Sequence, residues 1–166
     1  PVGLSTPTGE LPPSGWHRSP YGVINVMSEP NGAAGWFPLN NHPRDKAMFH
    51  INVGVPAPWV VAASGELKEV RAEDDRIHYI WEMDKPMAGY LASINIDRYQ
   101  VEMAPGPHNI LLRHYLPEGL DPARKEHLQK VPEMLAYFET LFGPYPFKQY
   151  GLVVASKDLP VCKHPY

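Results

Sequence analysis

Short stretches of alternating apolar and polar residues, separated by turn-forming residues, dominate the first two thirds of the chain. The clearest stretch is 49–55, where Phe49, Ile51, Val53 and Val55 alternate with polar residues or glycine. A period of two places the four apolar side chains on one face of a strand. Five or six such strands follow one another at spacings of about 8 to 15 residues, with no helical pattern between them. This part of the sequence therefore predicts an antiparallel sheet or sandwich.

A hairpin is predicted around the polar turn Glu73–Asp75. After this turn Tyr79, Trp81 and Met83 alternate with other residues, as expected for the returning arm, and Pro86 is expected to end that arm. Proline and glycine contribute 20 and 13 of the 166 residues, which fits many turns between short strands.

The pattern changes near Pro105. A strand at 110–116 is followed by Asp121 and Pro122, a capping residue and a proline at the first helical position. Apolar residues then recur at steps of three and four, and Pro132 predicts a kink or a break near Val131. Gly143-Pro144 should end the helix, and 149–156 reads as one more strand. The sequence predicts a strand-helix-strand unit of mixed α/β type here.

The apolar side of this helix predicts how it packs. The stripe from Phe138 to Phe142 is expected to be the face that contacts the sheet, whereas Glu133 and Glu139 are expected to be solvated.

Charge and hydropathy exclude several classes of protein. The formal net charge is −3 and charged residues make up 20% of the chain, which argues against a basic nucleic-acid binder. No apolar run approaches the ~20 residues of a membrane-spanning helix, so no membrane span is predicted. A single cysteine, Cys162, cannot form an internal disulfide and is interpreted as an ordinary thiol.

The sequence lacks the short motifs of common catalytic centres. There is no H-E-x-x-H, no G-x-S-x-G and no glycine-rich phosphate loop. His108 and His114 lie six residues apart on or near a strand, and no third ligand accompanies them, so both are interpreted as surface histidines.

Longer phrases resemble one family. The segment Ser28–Ala47 resembles the phrase SEP.GA..WFP.ND.P.DKA of the aminopeptidase N family of zinc metallopeptidases, gluzincins that include the leukotriene hydrolases. Trp81–Leu91 is similar to the W-E-x-x-x-P-M-x-x-Y-L strand pair of that family. Segments 131–147 and 150–154 resemble the start of its catalytic domain. The four phrases occur in the family's order and cover nearly all of residues 21–156.

The resemblance implies a fold and a division into domains. In this family a saddle-like domain of antiparallel strands precedes a thermolysin-like α/β domain, and the boundary would fall near Pro105–His108. Residues 1–106 would then be part of the N-terminal β-domain, and residues 107–166 the start of the catalytic domain.

The resemblance also implies a function. The complete protein would be a zinc-dependent aminopeptidase that removes N-terminal residues from peptide substrates. The zinc-binding H-E-x-x-H and the substrate-binding G-x-M-E-N are missing from these 166 residues. After Val154 the sequence also departs from the family. This chain alone is therefore expected to be inactive and to bind no catalytic zinc.

One substrate-binding residue can be assigned from the resemblance. Aminopeptidases of this family hold the free α-amine of the substrate partly through a Glu or Gln just before the W-F-P phrase, and Glu29 occupies that position. A carboxylate there would form a charge-assisted hydrogen bond with an ammonium group.

Other interpretations stay open at this point. A non-catalytic β-sandwich module of the same ancestry could bind a partner protein through an exposed sheet. An all-β carbohydrate binder has only the tryptophans in its favour. Because the chain begins at Pro1 rather than Met, we expect a processed product, a trimmed form or a part of a longer protein. The phrase Gly35–Ala47 resembles exported bacterial members, and the apolar helix predicts self-association.

Overall fold

A computed structural model describes residues 15–29 and 31–155 of the chain. Interpretations that concern Pro1, Cys162 and the divergent sequence after Ala155 lie outside these residues. The chain divides into two compact units, and the described part of the first ends at Asp97 while the second is Arg98–Ala155. The domain limits implied by the resemblance stay a prediction.

The strands are β1 (Gly15–Arg18), β2 (Ile24–Met27), β3 (Lys46–Val55), β4 (Val60–Ala63), β5 (Glu66–Glu73), β6 (Arg76–Ala88), β7 (Ile94–Asp97), β8 (Tyr99–Pro105), β9 (Leu111–Pro117) and β10 (Gln149–Tyr150).

The first unit contains two antiparallel sheets. One has four strands in the order β1-β2-β7-β4, and the other has three in the order β3-β6-β5. In the four-stranded sheet the alternating side chains of Val26, Val61, Ile94 and Ile96 are buried. Ile94 and Ile96 are two residues apart in β7 and therefore share one face of this sheet.

The predicted hairpin is confirmed. β5 and β6 pair from Glu66 opposite Glu82 to Glu73 opposite Arg76, and Tyr79 and Trp81 lie on the buried side.

The predicted end of this arm at Pro86 is wrong. β6 continues to Ala88, which pairs with Lys46 of β3. The register shifts between Ala47, which pairs with Met87, and Phe49, which pairs with Met83. This irregularity places Pro86 outside the regular ladder, where the missing N–H of proline removes no required hydrogen bond.

The second unit is a strand-helix-strand arrangement with an added antiparallel strand. Its sheet has the order β10-β9-β8, in which β8 pairs antiparallel and β10 parallel with β9. Two helices, α1 (Pro122–Leu128) and α2 (Val131–Phe142), connect β9 to β10. The predicted fold class, mainly β with antiparallel sheets followed by a short α/β segment, is confirmed.

The predicted signals at the helix ends are also confirmed. The Asp121 side chain accepts a hydrogen bond from the N–H of Ala123 at 2.9 Å, and the helix breaks before Val131. Gly143 follows the last turn with φ +86°, a conformation that glycine adopts without the steric cost of a side chain.

The predicted packing face of α2 is wrong. Val131 and Leu135 are the buried residues, and they pack with Ile110 and Leu112. Phe138 and Phe142 are exposed, the latter to 81%. Apolar side chains occupy more than one side of this helix, so a single sheet covers only part of them.

Two polar residues also differ from their predicted surroundings. The side chain of Glu139 is only 9% exposed and is not solvated. His114 is buried, whereas His108 is exposed as predicted.

No helix within the described residues is both long enough and apolar enough to cross a membrane.

Candidate functional site

Glu29 lies on a short connection between β2 and the 3-10 helix Gly32–Gly35. Its side chain is exposed. No hydrogen bond or ion pair joins its carboxylate to another described residue. The structure thus places the substrate-binding residue named by the resemblance at the surface, with its charge available to a ligand.

The backbone beside Glu29 is fixed by its neighbour Ser28. The carbonyl of Ser28 accepts a hydrogen bond from the N–H of Gly32 at 2.7 Å. The buried hydroxyl of Ser28 donates to the carbonyl of Ala92 at 3.3 Å and accepts from the indole Nε1 of Trp36 at 3.0 Å. Three hydrogen bonds therefore hold the residue that precedes Glu29.

An aromatic cluster supports this connection. The Trp36 ring lies 6.2 Å from the ring of Trp16 and 4.5 Å from that of Phe37. Phe37 in turn contacts Phe49 of β3, with the ring centroids 6.0 Å apart. The cluster ties the connection to β1 and β3.

Two phrases of the resemblance meet beside the cluster. A Cβ built on Gly89 would lie 2.1 Å from Leu39 Cδ1 and 3.7 Å from Phe37. The Leu39 side chain would have to move to admit a Cβ at this position, so the W-F-P-L phrase packs directly on the phrase that contains Gly89.

Sequence reasoning did not identify Ser28 or Trp36 as supports of the site. The Trp36 side chain is half-buried, and its indole N–H is bonded to Ser28. The signal was present, because a tryptophan N–H that leaves water needs an acceptor and Ser28 is eight residues away in the same phrase.

This arrangement can bind a cation. An ionised carboxylate on an anchored backbone can form a charge-assisted hydrogen bond with an ammonium group.

Metal-binding chemistry is not present in the described residues. Within 15–29 and 31–155, no group of three or more His, Cys, Asp or Glu side chains could hold a metal ion. His108 bonds to Glu139 through Nδ1 at 2.7 Å, and His114 Nδ1 accepts the N–H of Leu152 at 3.2 Å. The structure does not bring these two histidines together as ligands, and these residues do not fit a zinc site.

A separate apolar groove runs along α2 in the second unit. Its volume is about 590 Å³, and Val131, Met134, Leu135, Phe138, Tyr150 and Leu152 are among its lining residues. Glu139 is at the edge of this groove, where its Oε1 accepts the N–H of Tyr145 at 2.9 Å. The groove offers apolar surface and few polar groups.

Comparison with curated proteins gives relatives among the aminopeptidases. The chain is 26% identical to aminopeptidase B of Mus musculus over 126 residues, which are 75% of this chain and 18% of that protein. It is 27% identical to aminopeptidase B of Homo sapiens over the same shares of the two chains. No family model matches the chain.

Comparison with solved structures gives a similar result. A variant of a two-domain M1 zinc metallopeptidase bound to L-arginine superposes with a TM-score of 0.81 at 26% identity, covering 90% of this chain and 36% of that one. A variant of an M1 zinc metallopeptidase from Deinococcus radiodurans, bound to a Tyr-Ser-Ala substrate, gives a TM-score of 0.79 at 27% identity and covers 90% and 35%. The chain thus spans little more than a third of the solved relatives.

Proposed function

The chain belongs to the M1, aminopeptidase N-like family of zinc metallopeptidases and corresponds to its N-terminal part, and from this premise we propose that the protein containing it is an aminopeptidase. That protein removes N-terminal residues from peptides. The observation that carries the proposal is the exposed Glu29 carboxylate on a backbone anchored by Ser28, at the position where the family places an amine-binding residue.

Glu29 supplies recognition of the free amine in this proposal. The carboxylate bonds to the substrate ammonium group. Because the backbone beside Glu29 is held in place, the bound amine has a fixed position, and the scissile bond lies one substrate residue away from it. Charge-assisted hydrogen bonds of this kind are worth about 1.5–3 kcal/mol. A peptide with a blocked amine loses this bond and leaves the carboxylate unpaired.

Zinc chemistry belongs to residues other than those described here. The relatives are zinc metallopeptidases by description, and the described residues of this chain offer no fitting group of ligands. When bound, zinc acts in such peptidases as a Lewis acid. Residues 15–29 and 31–155 contribute substrate binding through Glu29 in this proposal.

Peptides with a free amine are the proposed substrate class. Related structures hold L-arginine, L-tryptophan and a Tyr-Ser-Ala substrate. These ligands share the α-amine that Glu29 would bind.

Self-association is a further part of the proposal. Five large apolar side chains of α2 are exposed: Met134, Tyr137, Phe138, Leu141 and Phe142. Exposed apolar patches on one helix favour contact between copies of the chain. We therefore expect this chain to self-associate through α2 when nothing else covers the helix.

Hydrolysis of arginyl-p-nitroanilide by the native gene product tests the aminopeptidase function. We expect zinc-dependent, chelator-sensitive hydrolysis of this substrate and none of its N-acetylated form. The 166-residue chain with added zinc is the control, and we expect no turnover from it.

The same assay separates the proposal from its alternative. If the native gene product binds no zinc and hydrolyses neither substrate, the aminopeptidase function is wrong and a non-catalytic interaction module of the same ancestry is favoured.

A further inference from the structure

A side chain takes part in the parallel pairing between β9 and the strand that follows α2. It provides one hydrogen bond of the ladder, and we call this bond the rung. Tyr150 pairs with Leu112, and Val153 pairs with Tyr115 in the same register. Between these two pairs the N–H of Leu152 donates to His114 Nδ1 at 3.2 Å. An imidazole nitrogen thus accepts a backbone N–H at the centre of this strand pair.

Backbone bonds surround this rung on both sides. Leu111 N–H donates to the carbonyl of Lys148 at 2.9 Å before it, and Tyr115 N–H donates to Leu152 at 2.9 Å after it. Val154 N–H donates to the carbonyl of Tyr115 at 3.0 Å. Gly151 approaches the carbonyl of Arg113 so closely that a Cβ there would lie 2.3 Å from the oxygen. The strand follows β9 closely on either side of His114.

The rung requires a neutral histidine. Nδ1 can accept a hydrogen bond only through its lone pair, and the neutral ring then carries its proton on Nε2. His114 is 6% exposed and lies on the same side of β9 as Leu112 and Leu116, both buried. Burial among apolar groups disfavours the charged ring and lowers the pKa of His114 below its ordinary value.

Few charged or titratable groups face this ring. Glu102 of β8 pairs with His114 across the strands, and its carboxylate opposes the effect of burial on the pKa of His114. Lys125 of α1 forms an ion pair with Glu102, which partly neutralises that carboxylate. Tyr150 is the titratable residue of β10, the strand that pairs with β9 on the other side.

We propose that His114 is an acid-sensitive connector that holds residues 150–154 beside β9 while it is neutral and releases them when it is protonated. A proton from solvent binds Nδ1 and takes the lone pair that Leu152 uses. The N–H of Leu152 then faces a second N–H instead of an acceptor, in a partly buried position. The strand after α2 therefore separates from β9 in acid, while the antiparallel pair β8-β9 needs no such change.

Amide hydrogen exchange of the 166-residue chain between pH 7.5 and 5.0 tests the connector. Rates are corrected for the intrinsic effect of pH, and the titration of His114 is followed in the same samples by NMR of its ring carbon-bound protons. We expect the amides of Leu152, Tyr115 and Val154 to lose protection by about tenfold, the factor that corresponds to the loss of about one hydrogen bond. Amides of β6 serve as the internal reference and should not change.

Two variants separate the connector from a general effect of acid. His114→Gln keeps a side-chain acceptor but cannot be protonated in this range, so its Leu152 exchange should be independent of pH. His127→Gln removes an exposed histidine from α1 and should keep the wild-type change.

The proposal is overturned if the acid step persists in H114Q, or if it disappears in H127Q instead. Should H114Q not fold, the wild-type chain alone decides. Coincident midpoints for the ring titration and the exchange step support the connector, and separate midpoints overturn it.

Discussion

The two units of this chain bury their apolar side chains to different extents. Of the thirteen large hydrophobic side chains that are exposed among the described residues, nine belong to the second unit and five of these to α2. The first unit is the longer one, and its exposed apolar side chains, such as Tyr21 and Met48, lie on different elements. In the second unit, Val131 and Leu135 are the buried residues of α2, and the other large apolar side chains of this helix stay exposed.

This difference indicates where the chain needs a partner. The first unit carries Glu29 on a connection that its own residues hold in place. The second unit leaves apolar surface on α2 that its own sheet cannot cover. The proposed amine recognition and the proposed self-association thus involve different units.

The largest expected effect compares two leucines of the same helix. Leu135 is 7% exposed in the core of the second unit, and Leu141 is 56% exposed. Leu135→Ala should lower the free energy of unfolding by about 2–4 kcal/mol, because it opens a cavity against Leu112 and Ile110. Leu141→Ala should change it by less than about 0.5 kcal/mol. Urea denaturation followed by circular dichroism measures both.

Sedimentation velocity on Leu141→Ala and on the wild-type chain tests self-association. L141A should sediment with a smaller average size than the wild-type chain at equal concentration, because it removes part of the exposed stripe. A wild-type sample that is monomeric at all concentrations would show that α2 does not mediate contact between copies.

The second comparison concerns how pH affects stability through two glutamates, Glu139 of the second unit and Glu66 of the first, each of which forms an ion pair. Glu139 accepts the N–H of Tyr145 and bonds His108, and these contacts lower the pKa of the Glu139 carboxyl. A carboxyl with a lowered pKa in the folded state stabilises the fold above its ordinary value of 4.5 and loses this contribution as the pH falls. The stability difference between wild type and Glu139→Gln should therefore be present at pH 7 and shrink below pH 4.5.

The matched control is a glutamate of the first unit. Glu66 pairs with Lys68 at 2.8 Å on the exposed strand β5. Exposed pairs contribute little, so Glu66→Gln should change the stability by less than about 1 kcal/mol at pH 7. If E66Q and E139Q have equal effects, the buried position of Glu139 has no special role.

Local patterns were sufficient to predict most of the fold. Alternation from Phe49 to Val55 predicted a strand that the structure contains, and Asp121 and Gly143 mark the helix ends as expected. These signals act over a few residues, so they can be read without knowing the partners.

Features that depend on distant partners could not be predicted in this way. The end of β6 depends on an irregularity in the pairing of β3 with β6, and the buried face of α2 depends on where Ile110 and Leu112 lie. Burial of His114 follows from the return of the chain beside β9. At the site, the resemblance suggested Glu29 but gave no indication of the hydrogen bond between the neighbouring Ser28 and Trp36, two residues that the 3-10 helix separates in sequence.

Kinetics of Glu29→Ala in the native gene product are the most direct test of amine recognition, with Glu118→Ala as a matched exposed control. We expect E29A to lower kcat/KM for arginyl-p-nitroanilide by about 10- to 100-fold, mostly through KM, because alanine offers the substrate amine no acceptor and one charge-assisted hydrogen bond is lost. E118A should have wild-type kinetics. Equal kcat/KM values for E29A and E118A in an active aminopeptidase would contradict the assignment of amine recognition to Glu29.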